Sequence, residues 1–272
     1  MRGSQQNGSG QFDGIDVSAV AFSVVAQLAS RNGQGKRPAA NDLVQAMKRA
    51  VVSTDPAAFD ALRRDLRRAS ITETDLVDCY FPAVARALGC DWVDDSAGFA
   101  AVTIGMSRLQ AMLHRIVRSC HVELPLDSPS VLVVLPQIEQ HSFGVQVLAE
   151  QLRRSGVSAH VLISPSPDRL RGLVGTGRYD GAMVSVGCEQ GLAPAAQAVL
   201  CLKQATEGQL WVAVGGAMLE RERGLADLLG ADIASSDPMK AMAGMRQTAP
   251  AAKTVLGLLR PVDCTAIGLD RP

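Results

Sequence analysis

Short apolar runs alternate with helical patterns throughout the second half of the chain. Strand-like runs lie at about 131–135, 158–163, 181–186 and 210–214, and helical patterns follow at about 143–155, 167–174, 192–204 and 220–229. A short strand near 232–233 and a helix from Pro238 complete the series. Strands that alternate with helices across short loops form parallel sheets covered on both faces. The sequence therefore predicts an α/β fold over residues 127–272, with a doubly wound, Rossmann-like or flavodoxin-like parallel sheet.

The first half has a different pattern, in which amphipathic helices follow one another. Helices are predicted at 41–51, 57–69 and 76–88, the last ended by Gly89, and a fourth from Asp94 or Asp95 to about 118. These four helices predict a bundle over residues 39–122. Residues 1–38 are predicted to be a flexible leader with one possible short helix, Val17 to Ser30.

Composition excludes several classes of protein. The 27 basic and 27 acidic residues cancel, and 4% of residues are aromatic, which disfavours a nucleic-acid surface. The segment before the bundle is short and weakly basic, so we expect no direct sequence-specific DNA binding. No apolar run approaches the ~18–20 residues of a membrane span. Six cysteines without a Cys-x-x-Cys pair indicate reduced thiols and a cytoplasmic protein.

The residues after the first strand-like run are the strongest functional signal. Glu139, His141, Ser142 and Gly144 follow 131–135 directly, and open α/β sheets bind ligands at the carboxyl ends of their strands. A neutral imidazole is a good metal ligand, and its second nitrogen needs an acceptor that fixes the tautomer. His141 is therefore the candidate metal ligand, with Glu139 as the candidate acceptor.

Two later strand ends carry small residues. Ser185 and Gly187 end the third strand-like run, and Gly215 and Gly216 follow the fourth. Glycines without a Cβ leave room for a ligand, and the serine hydroxyl can form a hydrogen bond to it. No Ser-His-Asp set, P-loop or Gly-x-Gly-x-x-Gly fingerprint is present, so we do not expect an enzyme.

These three positions resemble the cobalamin-binding domain family, whose pattern is Asp-x-His-x-x-Gly, then Ser-x-Leu, then Gly-Gly. The resemblance implies that His141 is the lower axial ligand of cobalt, that Ser185 binds the buried base, and that the glycines accommodate the nucleotide tail. The chain departs from the pattern at two positions, with Glu139 for Asp and Gly187 for Leu.

The bundle adds a second resemblance. The segment from Tyr80 to Trp92 is similar to four-helix modules that precede cobalamin domains, where an apolar residue shields the upper ligand. Trp92 takes that place here; the alternative is an ordinary core tryptophan. Light-sensing repressors of this superfamily carry a Glu-His pair where this chain has Val102 and Thr103, so their upper-face chemistry does not carry over.

The whole arrangement, over roughly residues 39–248, resembles the AerR/PpaA group of photosynthesis regulators. That resemblance implies adenosylcobalamin or hydroxocobalamin as cofactor and a CrtJ/PpsR-type transcriptional repressor as partner, with light or oxygen as stimulus. Two alternatives stay open. The chain could be a corrinoid shuttle protein of a methyltransferase system, or a haem-binding sensor of the same fold, since His141 also suits haem iron.

Overall fold

The structure, a computed structural model, describes residues 39–119, 124–139 and 142–248. The predicted leader helix Val17 to Ser30 and the chain beyond residue 248 lie outside these ranges, as does His141.

A five-stranded parallel sheet forms the centre of the second half. Its order is β2-β1-β3-β4-β5, and each neighbouring pair is parallel. The strands are β1 Ser130–Leu135, β2 Ser158–Ile163, β3 Gly181–Ser185, β4 Trp211–Gly215 and β5 Ile233–Ala234. This is the flavodoxin-like order of a doubly wound sheet, and the predicted fold class is confirmed.

Five helices cover the two faces of the sheet. They are α5 Ser142–Arg154, α6 Pro167–Val174, α7 Leu192–Ala205, α8 Leu225–Leu229 and α9 Pro238–Thr248. Helices α5 and α9 share one apolar cluster with Val131, Val133 and Met183. Helices α6, α7 and α8 share the other with Leu132, Val134 and Val184. Strand residues alternate between the clusters because successive side chains point to opposite faces.

The predicted four-helix bundle is present in the first half. Its helices are α1 Asn41–Val52, α2 Pro56–Arg68, α3, and α4 Phe99–Ser119. Helix α3 runs through three segments, Glu73–Asp75, the π-helical turn Leu76–Tyr80, and Phe81–Val93. Helix α1 contacts each of the other three, and its Val44, Met47 and Val51 are buried. The bundle core therefore lies around one central helix.

Helix α5 joins the two halves because both of its long faces are buried. Val145, Ala149 and Leu152 face the sheet, whereas Phe143 and Val147 belong to the bundle core. The Phe143 ring lies 6.4 Å from that of Phe81.

An ion pair adds to this packing. Arg154, the last residue of α5, pairs with Asp78 in the π-helical turn of α3. A π-turn inserts one extra residue into a helix, which rotates the following side chains relative to the preceding ones. Within that turn Val77 and Tyr80 are buried in the bundle, while Asp78 faces α5.

Several predicted boundaries were wrong. Gly89 does not end its helix, which continues to Val93. The fourth helix begins at Phe99, not at Asp94 or Asp95, because the chain turns there and Asp95 has a φ of 54°. The helix predicted over 220–229 is a 3-10 turn, Ala217–Glu220, followed by the short α8. Helix α3 begins with a capping box, in which Thr72 and Asp75 exchange side-chain and backbone hydrogen bonds.

Two absences concern the described residues only. No helix among them is long and apolar enough to cross a membrane. No disulfide joins the four cysteines in the described ranges, Cys79, Cys90, Cys188 and Cys201.

Candidate functional site at the carboxyl edge of the sheet

The sheet places the predicted site residues at its topological switch point. Strands β1 and β3 are neighbours, but β1 continues into α5 on one face whereas β3 continues into α7 on the other. The two loops therefore separate at the carboxyl edge and leave a crevice, which is where open α/β sheets bind ligands. Glu139 belongs to the first loop, and Gly187 to the second.

Glu139 is buried and crosses this crevice. Only 4% of the surface of Glu139 is exposed. Its Oε2 atom accepts a hydrogen bond from the backbone N–H of Gly187 at 2.7 Å, and the Cys188 thiol lies 3.7 Å from the same oxygen. The predicted role of Glu139 as acceptor for His141 stays a prediction, because His141 lies outside the described residues.

Two glycines leave room for this carboxylate. A Cβ on Gly187 would lie 3.0 Å from Glu139 Oε2, and one on Gly191 would lie 3.2 Å from it. Gly187 was predicted as a departure from Leu in the family pattern. The structure gives that departure a physical reason, because a side chain here would crowd the carboxylate of Glu139.

Ser185 and Gly215 lie opposite each other at the ends of β3 and β4. Ser185 is two residues after Met183, so it faces the α5 and α9 side of the sheet. Among the described residues the Ser185 hydroxyl has no hydrogen-bond partner, and the residue is only partly buried. The Ser185 hydroxyl is therefore a candidate hydrogen-bond partner for a polar ligand group, whereas the space beside Gly215 is bounded by the backbone oxygen of Ser235, 3.0 Å from where a Cβ would lie.

Gly216 has a different role from the one predicted. Its φ is 113°, and a Cβ there would lie 2.3 Å from the backbone oxygen of Val186. The space that this glycine leaves is thus taken by the neighbouring β3 loop, whose Val186 N–H donates to Gly215 O at 2.7 Å. Gly216→Val would therefore damage the fold.

Ser142 and Gly144 occupy the first turn of α5. Helix α5 thus begins directly after His141, and the backbone N–H groups of its first turn, which have no intrahelical acceptor, point toward the carboxyl edge. A Cβ on Gly144 would meet no described atom within 4 Å, and the role of this glycine beside a ligand stays a prediction.

The first loop is also strained. Ile138 has a φ of 72° and is 67% exposed, and this conformation is rare for a β-branched residue. A cavity of about 300 Å³ lies beside the loop, on the α6 and α7 face of the sheet. Ser185, Gly215 and Gly216 do not line it, so it is not the predicted tail slot. Its lining consists of Pro136, Gln137, Ile138, Pro165, Pro167, Leu170, Pro194, Gln197, Ala198 and Cys201.

Trp92 is not a core residue, so that alternative was wrong. It is 51% exposed near the end of α3, and its ring lies edge-on to Phe99, with centroids 6.2 Å apart. Phe99 is itself 69% exposed. Two aromatic rings that pack together yet remain exposed form a surface suited to an apolar ligand or partner.

Helix α3 packs against α5 before it reaches this aromatic pair. Asp78 meets Arg154 at the end of α5, and three residues later Phe81 meets Phe143 at its start. Trp92 lies eleven residues beyond Phe81, about 16 Å further along the axis. The role of Trp92 as a cap above a ligand stays a prediction.

A homologue of this chain is known from Rhodobacter capsulatus. It is described as an "Uncharacterized 20.5 kDa protein in bchF-crtJ intergenic region", and it is 33% identical over 181 residues, which cover 66% of this chain and 94% of that protein. The chain belongs to the family of that protein. No protein-family model matches the chain.

Solved structures resemble the fold at low sequence identity. The structure of the Methanosarcina barkeri monomethylamine corrinoid protein has a TM-score of 0.58 and 12% identity, and the match covers 76% of this chain and 97% of that one. A cobalamin-binding protein from Desulfitobacterium hafniense DCB-2 covers similar shares, 76% and 98%, with 16% identity. Its TM-score of 0.40 is too low to support an inference. The likeness to the monomethylamine corrinoid protein supports the fold of this chain, in which helices are combined with a parallel sheet.

Proposed function

We propose that the chain binds a corrinoid at the carboxyl edge of its sheet and regulates photosynthesis genes through a CrtJ/PpsR-type repressor. The observation that carries the first half is the meeting of the β1, β3 and β4 loops at one edge, with the helical bundle packed on α5. The monomethylamine corrinoid protein has this fold. The position of the homologue between bchF and crtJ supports the second half.

The residues of the edge fit a cobalamin whose nucleotide tail enters beside the sheet. Among the described residues the Ser185 hydroxyl has no hydrogen-bond partner, and Gly215, which carries no side chain, lies opposite it. The wall on that side is rich in methionine, with Met183, Met242 and Met245 in one cluster. Methionine side chains are flexible and polarizable, so they can repack around an inserted group.

Four of the predicted site residues have a stated task in this proposal. His141 would hold the cobalt, Ser185 would form a hydrogen bond to the tail, and Gly144 would leave space near the start of α5. Trp92 would cover the upper side. When bound, adenosylcobalamin supplies a cobalt–carbon bond that light can break. The chain converts such a change into a signal only if its bundle contacts the two states differently.

A reconstitution experiment tests corrinoid binding. The purified protein is mixed with hydroxocobalamin or adenosylcobalamin in the dark, passed through a desalting column, and measured by absorption spectroscopy. We expect retained cobalamin in the parent protein and at least about tenfold weaker binding in His141→Ala, because even residues that only support metal ligands contribute that much. His160→Ala is the matched control, since His160 lies on β2, where it packs against Tyr179.

Three outcomes would contradict this part of the proposal. A parent protein that retains no cobalamin would remove it altogether. A Soret band from added haem, with no cobalamin retained, would favour the haem alternative. Equal binding by His141→Ala and the parent would show that His141 is not the cobalt ligand.

The regulatory half needs a partner assay. The cobalamin-loaded protein is kept dark or illuminated, and its affinity for a purified CrtJ/PpsR-type repressor is measured by titration calorimetry. We expect at least a fivefold difference between the two states, since allosteric couplings are typically 5- to 150-fold. Equal affinity in both states, with cofactor-free protein as reference, would contradict light-dependent regulation. A comparison of oxidised and reduced samples tests oxygen as the stimulus in the same way.

A corrinoid shuttle is the second candidate, and the likeness to the monomethylamine corrinoid protein favours it. A shuttle would give photostable absorption bands and would transfer a methyl group to an added acceptor when a methyltransferase is supplied. A regulator would give bands that change on illumination and no transfer.

A further inference from the structure

We propose that Glu139 and Gly187 are a matched pair that clamps the β1 loop to the β3 loop, so that this site requires glutamate and does not accept aspartate. Glu139 acts here as a positioning residue for the loop that continues to His141. The stability test below is independent of the proposed function, whereas the cofactor test rests on it.

The Glu139 carboxylate forms a hydrogen bond across the crevice to the β3 loop. Glu139 Oε2 lies 2.7 Å from the Gly187 nitrogen, across 48 positions of sequence. A hydrogen bond to a charged acceptor is stronger than one between neutral groups, and burial strengthens it further. Because Glu139 is 4% exposed, water competes little for this contact. The bond therefore holds together two loops that leave the sheet on opposite faces.

The contact with Gly187 depends on the length of the glutamate side chain. Aspartate lacks one methylene, so its carboxylate would be withdrawn by about one carbon–carbon bond, ~1.5 Å. A distance of 2.7 Å would then exceed the range of a hydrogen bond unless the backbone moved. The Gly187 N–H would lose its acceptor, and a buried donor without an acceptor is costly.

The absence of a side chain at Gly187 leaves room for the Glu139 carboxylate. A Cβ at Gly187 would lie 3.0 Å from Oε2 and 3.2 Å from Oε1 of Glu139. Gly187 is not among the glycines with positive φ, so alanine is acceptable to the backbone, and the three atoms nearest to its Cβ all belong to the Glu139 carboxylate. The two departures from the family pattern are thus one feature, in which a longer acid occupies the space left by a missing side chain.

A double-mutant cycle on the protein without cofactor tests the pair. The variants are Glu139→Asp, Gly187→Ala and the double variant, and the measurement is the Tm. We expect each single variant to lose about 3 °C or more. The double variant should lose clearly less than the sum, because a shorter acid leaves room for the alanine Cβ and the two residues are in contact. Additive losses would overturn the matched pair.

Two control variants separate the clamp from general effects of the same substitutions. Glu189→Asp shortens an exposed acid two residues further along the β3 loop, and Gly172→Ala adds a methyl group where nothing lies within 4 Å. Neither should lower the Tm. If Glu139→Asp behaves like Glu189→Asp, the clamp does not exist.

The cofactor readout tests positioning. Protein labelled with ¹⁵N-histidine is loaded with cobalamin and reduced, and the nitrogen splitting in the cobalt EPR spectrum is recorded. We expect a single histidine nitrogen in the parent and in Glu189→Asp, and a reduced fraction of that signal in Glu139→Asp. An unchanged signal in Glu139→Asp would overturn the positioning role. If the parent binds no cobalamin, the proposed function fails, while the stability cycle still decides the clamp.

Discussion

The helical bundle and the sheet domain are stabilised by different kinds of contact. The bundle core is apolar, with Phe81, Leu88 and Leu109 buried. The carboxyl edge of the sheet depends on polar and backbone contacts between loops, such as that of Glu139 with Gly187. We infer that substitutions in the bundle core lower stability by leaving cavities, whereas substitutions at the edge do so by breaking single contacts between loops.

The bundle and the edge of the sheet also differ in which unusual residues they expose or bury. The bundle leaves Trp92 and Phe99 exposed where α3 ends and α4 begins. At the edge of the sheet, by contrast, the acid Glu139 is buried. Each region thus has the residue type that its own environment does not favour, which is expected of functional positions.

Gly216→Ala should give the largest effect and would show that backbone packing sets the geometry of the edge. The new Cβ would meet Val186 O at 2.3 Å, in a backbone conformation with φ 113°. We expect a loss of at least about 3 kcal/mol, or about 6–12 °C in Tm. Gly172→Ala is the control, and a variant at Gly216 with the Tm of the parent would contradict the structure.

Arg154→Met should separate the two regions. It leaves the carboxylates of Asp78 and Glu150 without their cation at a largely buried interface, which costs about 2–3 kcal/mol. Chemical denaturation should also become less cooperative.

The exposed pair of Arg171 and Asp168 provides the matched control for this interface. Asp168→Asn should cost no more than about 0.5 kcal/mol, because solvent screens exposed pairs. Equal losses in the two variants would mean that the interface pair contributes no more than a surface one.

Trp92→Ala should affect stability less than ligand binding. The residue is 51% exposed and packs edge-on to Phe99, so truncation should cost about 1 kcal/mol. If Trp92 covers the cofactor, bound cobalamin should dissociate at least about tenfold faster, because a fully packed aromatic contact contributes 2 kcal/mol or more to binding. A normal dissociation rate in a folded variant would remove Trp92 from the site, and Phe99→Ala measures how much its neighbour contributes.

Glu150→Gln should change the Tm least of these variants, and it should raise the Tm. Burial raises the pKa of Glu150, although Arg154 and Arg153 oppose the shift. An acid with a raised pKa in the folded state binds its proton more tightly there, so its ionisation costs stability as the pH rises above its ordinary pKa of 4.5. The neutral glutamine avoids that cost, and Tm at pH 7 should rise by a few degrees at most. The gain should vanish below pH 4.5, and a loss at pH 7 would indicate that the pairing with Arg154 outweighs burial.

The fold class could be predicted from sequence because it follows from local patterns. Apolar runs such as Val131 to Leu135 predicted the strands, and their alternation with helices predicted the parallel sheet. Boundaries that depend on one turn were less predictable, since Gly89 is a common helix terminator but here lies within α3. The capping box at Thr72 was predictable because all of its atoms lie within four residues.

Sequence alone also determined which residues meet at the carboxyl edge, because parallel strands bring their ends together whatever the loops contain. Only the tertiary structure decided what these residues do there. It showed that Gly216 accommodates the backbone of Val186, that Gly187 makes room for Glu139, and that Asp78 meets Arg154 across 76 positions. Such contacts depend on distances between remote segments, and no local pattern of side chains encodes those distances.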